Sequence, residues 1–455
     1  MEWTPGSVAE ATGGKVVAAH GAGRTDVQPT LGGVVIDSRL VSGGELFVAI
    51  KAQRDGHGFV GDAVRGGALA VMVDDGKLSE GLTVPAVVVG DTGEALLALG
   101  SAARRRLSAD VVGITGSVGK TSTKDLASAA LSRDRRVTAS ERSFNNELGV
   151  PLTLANAPVS TEVAVIEMGA RGPGHIALLC RVAQPTVAVV TAVAAAHTEM
   201  FRTLDNVAAA KGELVEALPP GGTAILNADD SRVASMASRT GARALFYSAE
   251  GAHADLVAVD TRLDDQLRPT FTARTPWGTA RVQLEARGAH QVQNALAALA
   301  VAGVCGVDVG EAAAGLAQAT LSPWRMELTE TSSGALLLND AYNANPASMK
   351  AALESLASLP ATRRIAVLGT MAELGERSAK EHLAIARFAG DLGIEVVAVG
   401  TADYGRPAAA GIEEVIDFLG DLEGGDAVLV KASRAAGLER LATRLSERSS
   451  GPDSS

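Results

Sequence analysis

The sequence predicts an α/β protein of three domains. Short β-branched apolar runs alternate with Ala/Leu-rich stretches of helical spacing along nearly the whole chain. A Gly-rich turn joins one such strand to a helix near residue 115. The 455 residues suit about three domains at roughly 100–200 residues each. Hydrophobic residues make up 47% and charged residues 20%, the balance of a folded globular chain.

In the first unit, placed at 1–108, strands are expected at VVID (34–37), ELFVAI (45–50), AVMV (70–73) and AVVVG (86–90). Helices are expected at 60–68 and 93–107, the latter ending in a basic run, Arg104–Arg106, read as a solvated helix end. The second unit, 109–321, opens at ADVVGITGSVGKTS and continues through strands at 163–169, 186–192 and 222–228, which implies a mostly parallel sheet. Between 253 and 285 strand-like runs follow one another with no helix between them, so a small antiparallel sheet is expected there, then an Ala-rich helix at 290–304. The third unit, 322–455, has strands at 335–340, 363–369, 395–400 and 426–431. These alternate with helices and end in Gly, Asp or Lys, where ligands sit in open α/β sheets. Its tail, SERSSGPDSS, is expected to be disordered.

The net charge of −11 argues against a nucleic-acid partner. Two cysteines, Cys180 and Cys305, suit a reducing compartment and buried packing. The N-terminus lacks a basic stretch followed by an apolar one, and the apolar run 185–196 is too short to span a bilayer. A cytoplasmic, non-membrane protein is therefore expected, acting as a monomer.

The sharpest chemical signal is Thr115-Gly116-Ser117-Val118-Gly119-Lys120-Thr121-Ser122, between a strand and a helix. In that setting Gly116, Ser117 and Gly119 let backbone N–H groups face phosphate oxygens. Lys120 reaches the terminal phosphates, and Thr121 and Ser122 open the helix, with Thr121 able to ligate Mg²⁺. Position 114 is Ile, so the match is to the shorter G-x-x-G-K-[ST] form. Glu167 ends an apolar strand, His197 follows another, and both can share a metal with Thr121 if those strands flank the loop. Lys211, on a helix, reads by itself as a solvated charge. Ser143, Asn145 and Asn146, the pair His290 and Asn294, and Asp340 through Asn345 are polar runs where strands stop, and spacing alone reads them as turn and capping residues.

Taken in order, these segments resemble the Mur ligase family, amide-forming enzymes of peptidoglycan synthesis. The resemblance rests on Asp37-Ser38-Arg39, the run Gly44–Ala49 and Asp55-Gly56-His57. It continues through the phosphate loop, SFNNELGVPLTL, Glu167-Met168-Gly169, His197 and Lys211-Gly212-Glu213, and ends with DAYNANP, VLGTMAELGE and LVKASR. Asp-Gly-His early and Tyr-Asn-Ala-Asn-Pro late look like the dipeptide-adding branch. The resemblance implies an N-terminal domain gripping a UDP end, a central ATPase and a C-terminal Rossmann-like domain. The substrates it implies are UDP-N-acetylmuramoyl-tripeptide, D-alanyl-D-alanine and ATP. Ser38, Arg39 and Phe47 would lie near the uridine diphosphate, and Ser143, Asn145 and Asn146 near the UDP-sugar. Thr121, Glu167, His197 and a carbamylated Lys211 would hold Mg²⁺. His290, Asn294, Arg325, Asp340 and Asn345 would contact ATP. Departures from the family pattern stand at Ala192, Ala194, Thr370 and Ala432, the last two expected on the acceptor side.

Overall fold

The computed structural model describes residues 1–20, 28–79, 81–141, 144–194, 201 and 203–447. Ser143, His197 and the tail from 448 lie outside them. Among the described residues the chain forms three sheets. The first orders its five strands Lys15–Val17, Ala86–Val88, Ala70–Val73, Leu46–Val48 and Val34–Val35, parallel except for the first pair. The third orders its six as Glu327–Glu330, Leu336–Asn339, Asp426–Lys431, Arg363–Leu368, Glu395–Val399 and Ala408–Ala409, again parallel except for the first pair.

The second sheet has nine strands and sets the phosphate loop. Strand Asp110–Thr115 lies between Val187–Val190 and Val163–Glu167, with Val137–Ala139 at one edge. All four run parallel, so their C-terminal ends, the loop and Glu167 emerge on one side. On the other flank follow Thr223–Asn227 and Arg243–Ser248. The antiparallel strands were expected as a small sheet of their own. They instead extend this one, because Leu256–Leu263 pairs in parallel with Arg243–Ser248 at Tyr247 and Ser248 and then carries Pro269–Thr275 and Gly278–Gln283 antiparallel. The sheet is closed by helix Lys120–Leu131 packing on helix Gln291–Val304, whose alanines and leucines are nearly all buried.

Most predicted strands and helices fall where expected, with trimmed ends. The basic run closing helix Thr92–Arg106 is solvated only in part. Arg104 Nε donates to Ala183 O at 2.9 Å and its Nη1 to Leu107 O at 3.0 Å, so it ties two helix C-termini together. Arg106 lies over the Trp3 ring at 4.2 Å. Helix-end carbonyls left without intrahelical partners explain why this arginine is used rather than solvated. The first sheet is fastened to the second by Trp3 Nε1, which donates to Ala155 O at 2.9 Å, and by Asn156, whose amide brackets Val34 N and O at 2.8 and 2.9 Å. One hydrophobic core runs across both. Cys180 and Cys305 are free and buried, as read, and burial pushes both thiols up to about 12. Among the described residues no helix is long and apolar enough to cross a membrane.

Candidate active site

A cleft of about 600 Å³ opens between the phosphate loop and the third sheet. Ser117, Gly119, Lys120, Thr121, Ser122, Asn145, Asn146, Glu167 and Lys211 line it from the central unit, with His290 and Asn294. Arg325, Asp340 and Asn345 line it from the C-terminal one.

The loop is shaped by two glycines. Gly116 (φ 152°) faces Thr191 and Gly119 (φ 83°) faces Asn294. A Cβ on Gly116 would collide with Thr191 Oγ1, and one on Gly119 would approach Asn294 Oδ1 to 2.6 Å. Both backbones therefore need left-handed freedom and empty space. The loop is also laced to the segment after the neighbouring strand. Ser117 N donates to Ala192 O at 2.8 Å, and Ser117 Oγ exchanges hydrogen bonds with Ala194 O and N at 3.0 and 2.9 Å. Ala192 and Ala194 thus serve through their backbones, which any side chain supplies. Lys120 Nζ donates to Gly116 O at 2.7 Å, and Gly119 stands at the N-cap of helix Lys120–Leu131, whose positive end faces the cleft. Desolvation lowers the Lys120 pKa, while the Glu167 charge opposes it.

Glu167, 1% exposed, is fully partnered. Thr121 Oγ1 donates to its Oε2 and Asn145 Nδ2 to its Oε1, each at 2.7 Å. Arg325 Nη2 donates to Thr121 Oγ1 at 2.8 Å, and its guanidinium lies 4.2 Å over the Tyr342 ring, leaving Nε buried without a partner among the described residues. Lys211 is not the solvated charge its spacing suggested. It is 3% exposed, and its amine makes no hydrogen bond or ion pair among the described residues. Desolvation, helped by the Lys120 charge, holds its pKa well below the usual lysine range, so the neutral amine is favoured.

Farther along the cleft, His290 stands at the N-cap of helix Gln291–Val304, and burial lowers its pKa. Its Nε2 lies 3.2 Å from Gln291 Nε2. Gln291 Oε1 accepts from Asn294 Nδ2 at 2.8 Å, and Thr123 Oγ1 donates to Asn294 Oδ1 at 3.2 Å. Asp340 accepts from Lys431 Nζ at 2.5 Å and from Met326 N at 3.2 Å. Lys431, 2% exposed, also donates to Asn343 O at 2.9 Å. Lys431 escaped the sequence reading as a site residue. Its position at a strand end was the available signal, but its partner lies far away in the chain.

Capping chemistry is real at two positions. Asn345 Oδ1 accepts from Ser348 N at 3.0 Å, closing a capping box on helix Pro346–Ser358. Asn146 Oδ1 accepts from Gly149 N at 2.9 Å at the head of helix Gly149–Asn156. Both still line the cleft, with their amide NH₂ groups unused by these caps.

The three residues expected near the uridine diphosphate lie in the first unit, away from this cleft. Ser38 and Arg39 form a short turn in the first unit, Arg39 exposed and paired with Asp37 at 2.6 Å. Phe47, 1% exposed, packs in that unit's core. Thr370 and Ala432 do not line the cleft. Ala432 is fully buried, its methyl directed at Gly369, where an added Cβ would come within 2.7 Å. The neighbouring Ala372, Glu373 and Ser433 line the cleft instead.

Residues 114–302 match the Mur ligase middle domain, and residues 324–448 match the Mur ligase, glutamate ligase domain. The chain is 37% identical to the UDP-N-acetylmuramoyl-tripeptide--D-alanyl-D-alanine ligase of Escherichia coli (strain K12), over 92% of this chain and 94% of that one. This chain belongs to the Mur ligase family. A second curated Mur ligase of the same description, from Mycobacterium bovis, is 38% identical over 98% of both chains. Among solved structures, a MurF crystal structure from Acinetobacter baumannii superposes with a TM-score of 0.86 at 30% identity, covering 98% of this chain and 99% of that one. MurF ligase from Thermotoga maritima in complex with ADP gives 0.80 at 30% identity, covering 92% and 97%.

Proposed function

We propose that this Mur ligase joins D-alanyl-D-alanine to UDP-N-acetylmuramoyl-tripeptide at the expense of ATP, in the cytoplasm, as a step of peptidoglycan precursor synthesis. The observation that carries the reading is the cleft itself. A phosphate loop, a partnered carboxylate and a buried lysine amine face polar side chains of the third unit across one cavity. The names of the relatives, which span nearly the full chain, supply the substrates.

A carboxylate is a poor electrophile. In the proposed reaction the donor's terminal carboxylate oxygen attacks the γ-phosphorus of ATP, and ADP leaves. The acceptor amine then attacks the acyl carbon, loses a proton, and expels phosphate. Both reactants in the first step are anions, so Lys120, the helix N-terminus behind it and Arg325 have to neutralise and align them. Lys120 would leave Gly116 O for the γ-phosphate. His290, Asn294 and Asn345 would orient the adenosine end, and Asp340 the ribose. Asn145 and Asn146 would face the UDP-sugar. Ser38 and Arg39, with 1–108 as the substrate-gripping domain, would meet the uridine diphosphate. The C-terminal domain, 322–455, would exclude water from the acyl phosphate.

Magnesium fits the hydroxyl and carboxylate oxygens of Thr121 and Glu167, which lie 2.7 Å apart beside the loop. Mg²⁺ characteristically binds one or two carboxylates together with substrate phosphates, and it would supply charge neutralisation there. His197 is a further proposed ligand. Lys211 as a carbamate would add an anionic oxygen, and its favoured neutral amine is the form that reacts with carbon dioxide. The testing experiment is a panel of donors and acceptors scored by phosphate release and product mass. Release that needs both the UDP-linked tripeptide and the dipeptide supports the reading, and release with neither sinks it.

A further inference from the structure

The cleft-lining segment after strand Arg363–Leu368 is held from behind by two buried side chains that touch no part of the cleft. His382, 0% exposed on helix Ser378–Asp391, accepts from Met371 N through Nε2 at 2.9 Å and donates from Nδ1 to Ser378 O at 2.8 Å. These two bonds fix one neutral tautomer, because Nε2 must be bare to receive an N–H. Tyr404, 1% exposed, donates from its hydroxyl to Gly369 O at 2.8 Å, and its ring meets the His382 ring edge-on at 4.8 Å. In front, Ser433 completes the clamp: its N donates to Thr370 O at 3.0 Å and its Oγ accepts from Ala372 N at 2.7 Å. The segment ends at Glu373, a non-glycine residue held at φ 64° that lines the same cleft as Lys120. A left-handed non-glycine backbone costs free energy and persists only where its surroundings over-determine it.

Charge indicates what this carboxylate suits. Of the three reactants, ATP and the UDP-linked donor are polyanions, and only the dipeptide acceptor carries a cation at its reacting atom. We infer that His382 and Tyr404 are positioning residues for the acceptor amine, acting by holding the Gly369–Glu373 segment so that the Glu373 carboxylate meets the ammonium at the phosphate end of the cleft. The inference rests on the proposed dipeptide acceptor.

The test uses the full chain with His382→Leu, His382→Gln and Tyr404→Phe. The side-chain oxygen of glutamine can replace Nε2 as acceptor for Met371 N, and Tyr404→Phe deletes a single hydroxyl. His382→Leu should raise KM for D-alanyl-D-alanine about tenfold or more, the order of one hydrogen bond's net worth or somewhat above it, while leaving KM for ATP within about twofold. His382→Gln should recover most of that loss, and Tyr404→Phe should shift the same constant by a few-fold. Hydrogen exchange at Met371 and Ala372 should quicken in His382→Leu and Tyr404→Phe without a change in ATP-induced protection of the phosphate loop. Should His382→Leu not fold, Tyr404→Phe carries the same split by itself. The inference is overturned if both KM values move together, if neither moves, or if glutamine is no better than leucine. A parent that releases no phosphate with the dipeptide defeats the proposed acceptor instead, and unchanged exchange at Met371 would then count separately against the positioning role.

Discussion

Lys120 and Thr121 owe their placement to one strand–turn–helix of adjacent residues, whereas Asp340, across the cleft, is held by Lys431, 91 positions away. The first wall is pre-shaped by backbone: two left-handed glycines, a helix N-terminus and carbonyls already committed to the loop. The second is shaped by side chains from separate elements, Asp340 with Lys431, Arg325 with Tyr342, and the segment held by His382. A wall built from local backbone geometry survives most side-chain changes outside its own turn. One built from distant pairs is exposed to a change at either partner.

That contrast can be broken by substitution. The largest effect is expected at Lys120→Ala, which removes charge facing a developing transition state. A loss of about 10²–10³ in kcat, with an unchanged melting temperature, is the scale for one such donor. Activity within about threefold of the parent would show that the central wall is not the phosphate site. Lys211→Ala should lose about 10²-fold, the upper range for removal of a group that supports a metal site. Formate or acetate should restore part of it by supplying an anionic oxygen, and Lys211→Arg should stay inactive because guanidinium cannot form a carbamate. An arginine variant as active as the parent would make Lys211 a simple cation.

Asp340→Ala sharpens the comparison from the other wall, since it should affect folding and binding together. Removing the carboxylate leaves the buried Lys431 ammonium with only carbonyl acceptors. A stability loss of about 2 kcal/mol is expected, below the full cost of breaking a buried pair because those carbonyls remain. Thermal unfolding would read it, alongside a higher KM for ATP. A raised KM with no thermal shift would mean that the Lys431 pair contributes nothing to the fold. The smallest effect is expected at Asn345→Ala, where losing the cap should cost about 1 kcal/mol. A kcat collapse there, with stability intact, would make Asn345 chemical rather than structural.

The same contrast explains what was legible in the sequence. The phosphate loop, the strands flanking it and the doubly wound layout follow from short-range pattern, because a Gly-rich turn between a strand and a helix specifies its own geometry. Lys211 was legible only through resemblance, since its burial depends on what packs over its helix. Lys431 carried only the weak signal of a strand-end position and His382 none, as a helical histidine is usually unremarkable. Their roles arise from partners brought close by the third sheet. The antiparallel strands were recognised but assigned to a sheet of their own, because nothing local to residues 253–285 records the two-residue parallel junction at Tyr247 and Ser248. Thr370 and Ala432 break a family pattern beside the cleft: Ala432 is fully buried against Gly369, and the Thr370 carbonyl accepts from Ser433 N at 3.0 Å.

In the proposed reaction the two walls meet around a carboxylate activated by phosphoryl transfer. The most direct measurement follows ¹⁸O from a donor labelled in both oxygens of its terminal carboxylate, with ATP and D-alanyl-D-alanine present. Attack of a carboxylate oxygen on the γ-phosphorus, followed by displacement of phosphate, requires each phosphate released during ligation to carry one ¹⁸O and the new amide to keep the other. Ligation that yields unlabelled phosphate, or that yields AMP in place of ADP, would contradict it.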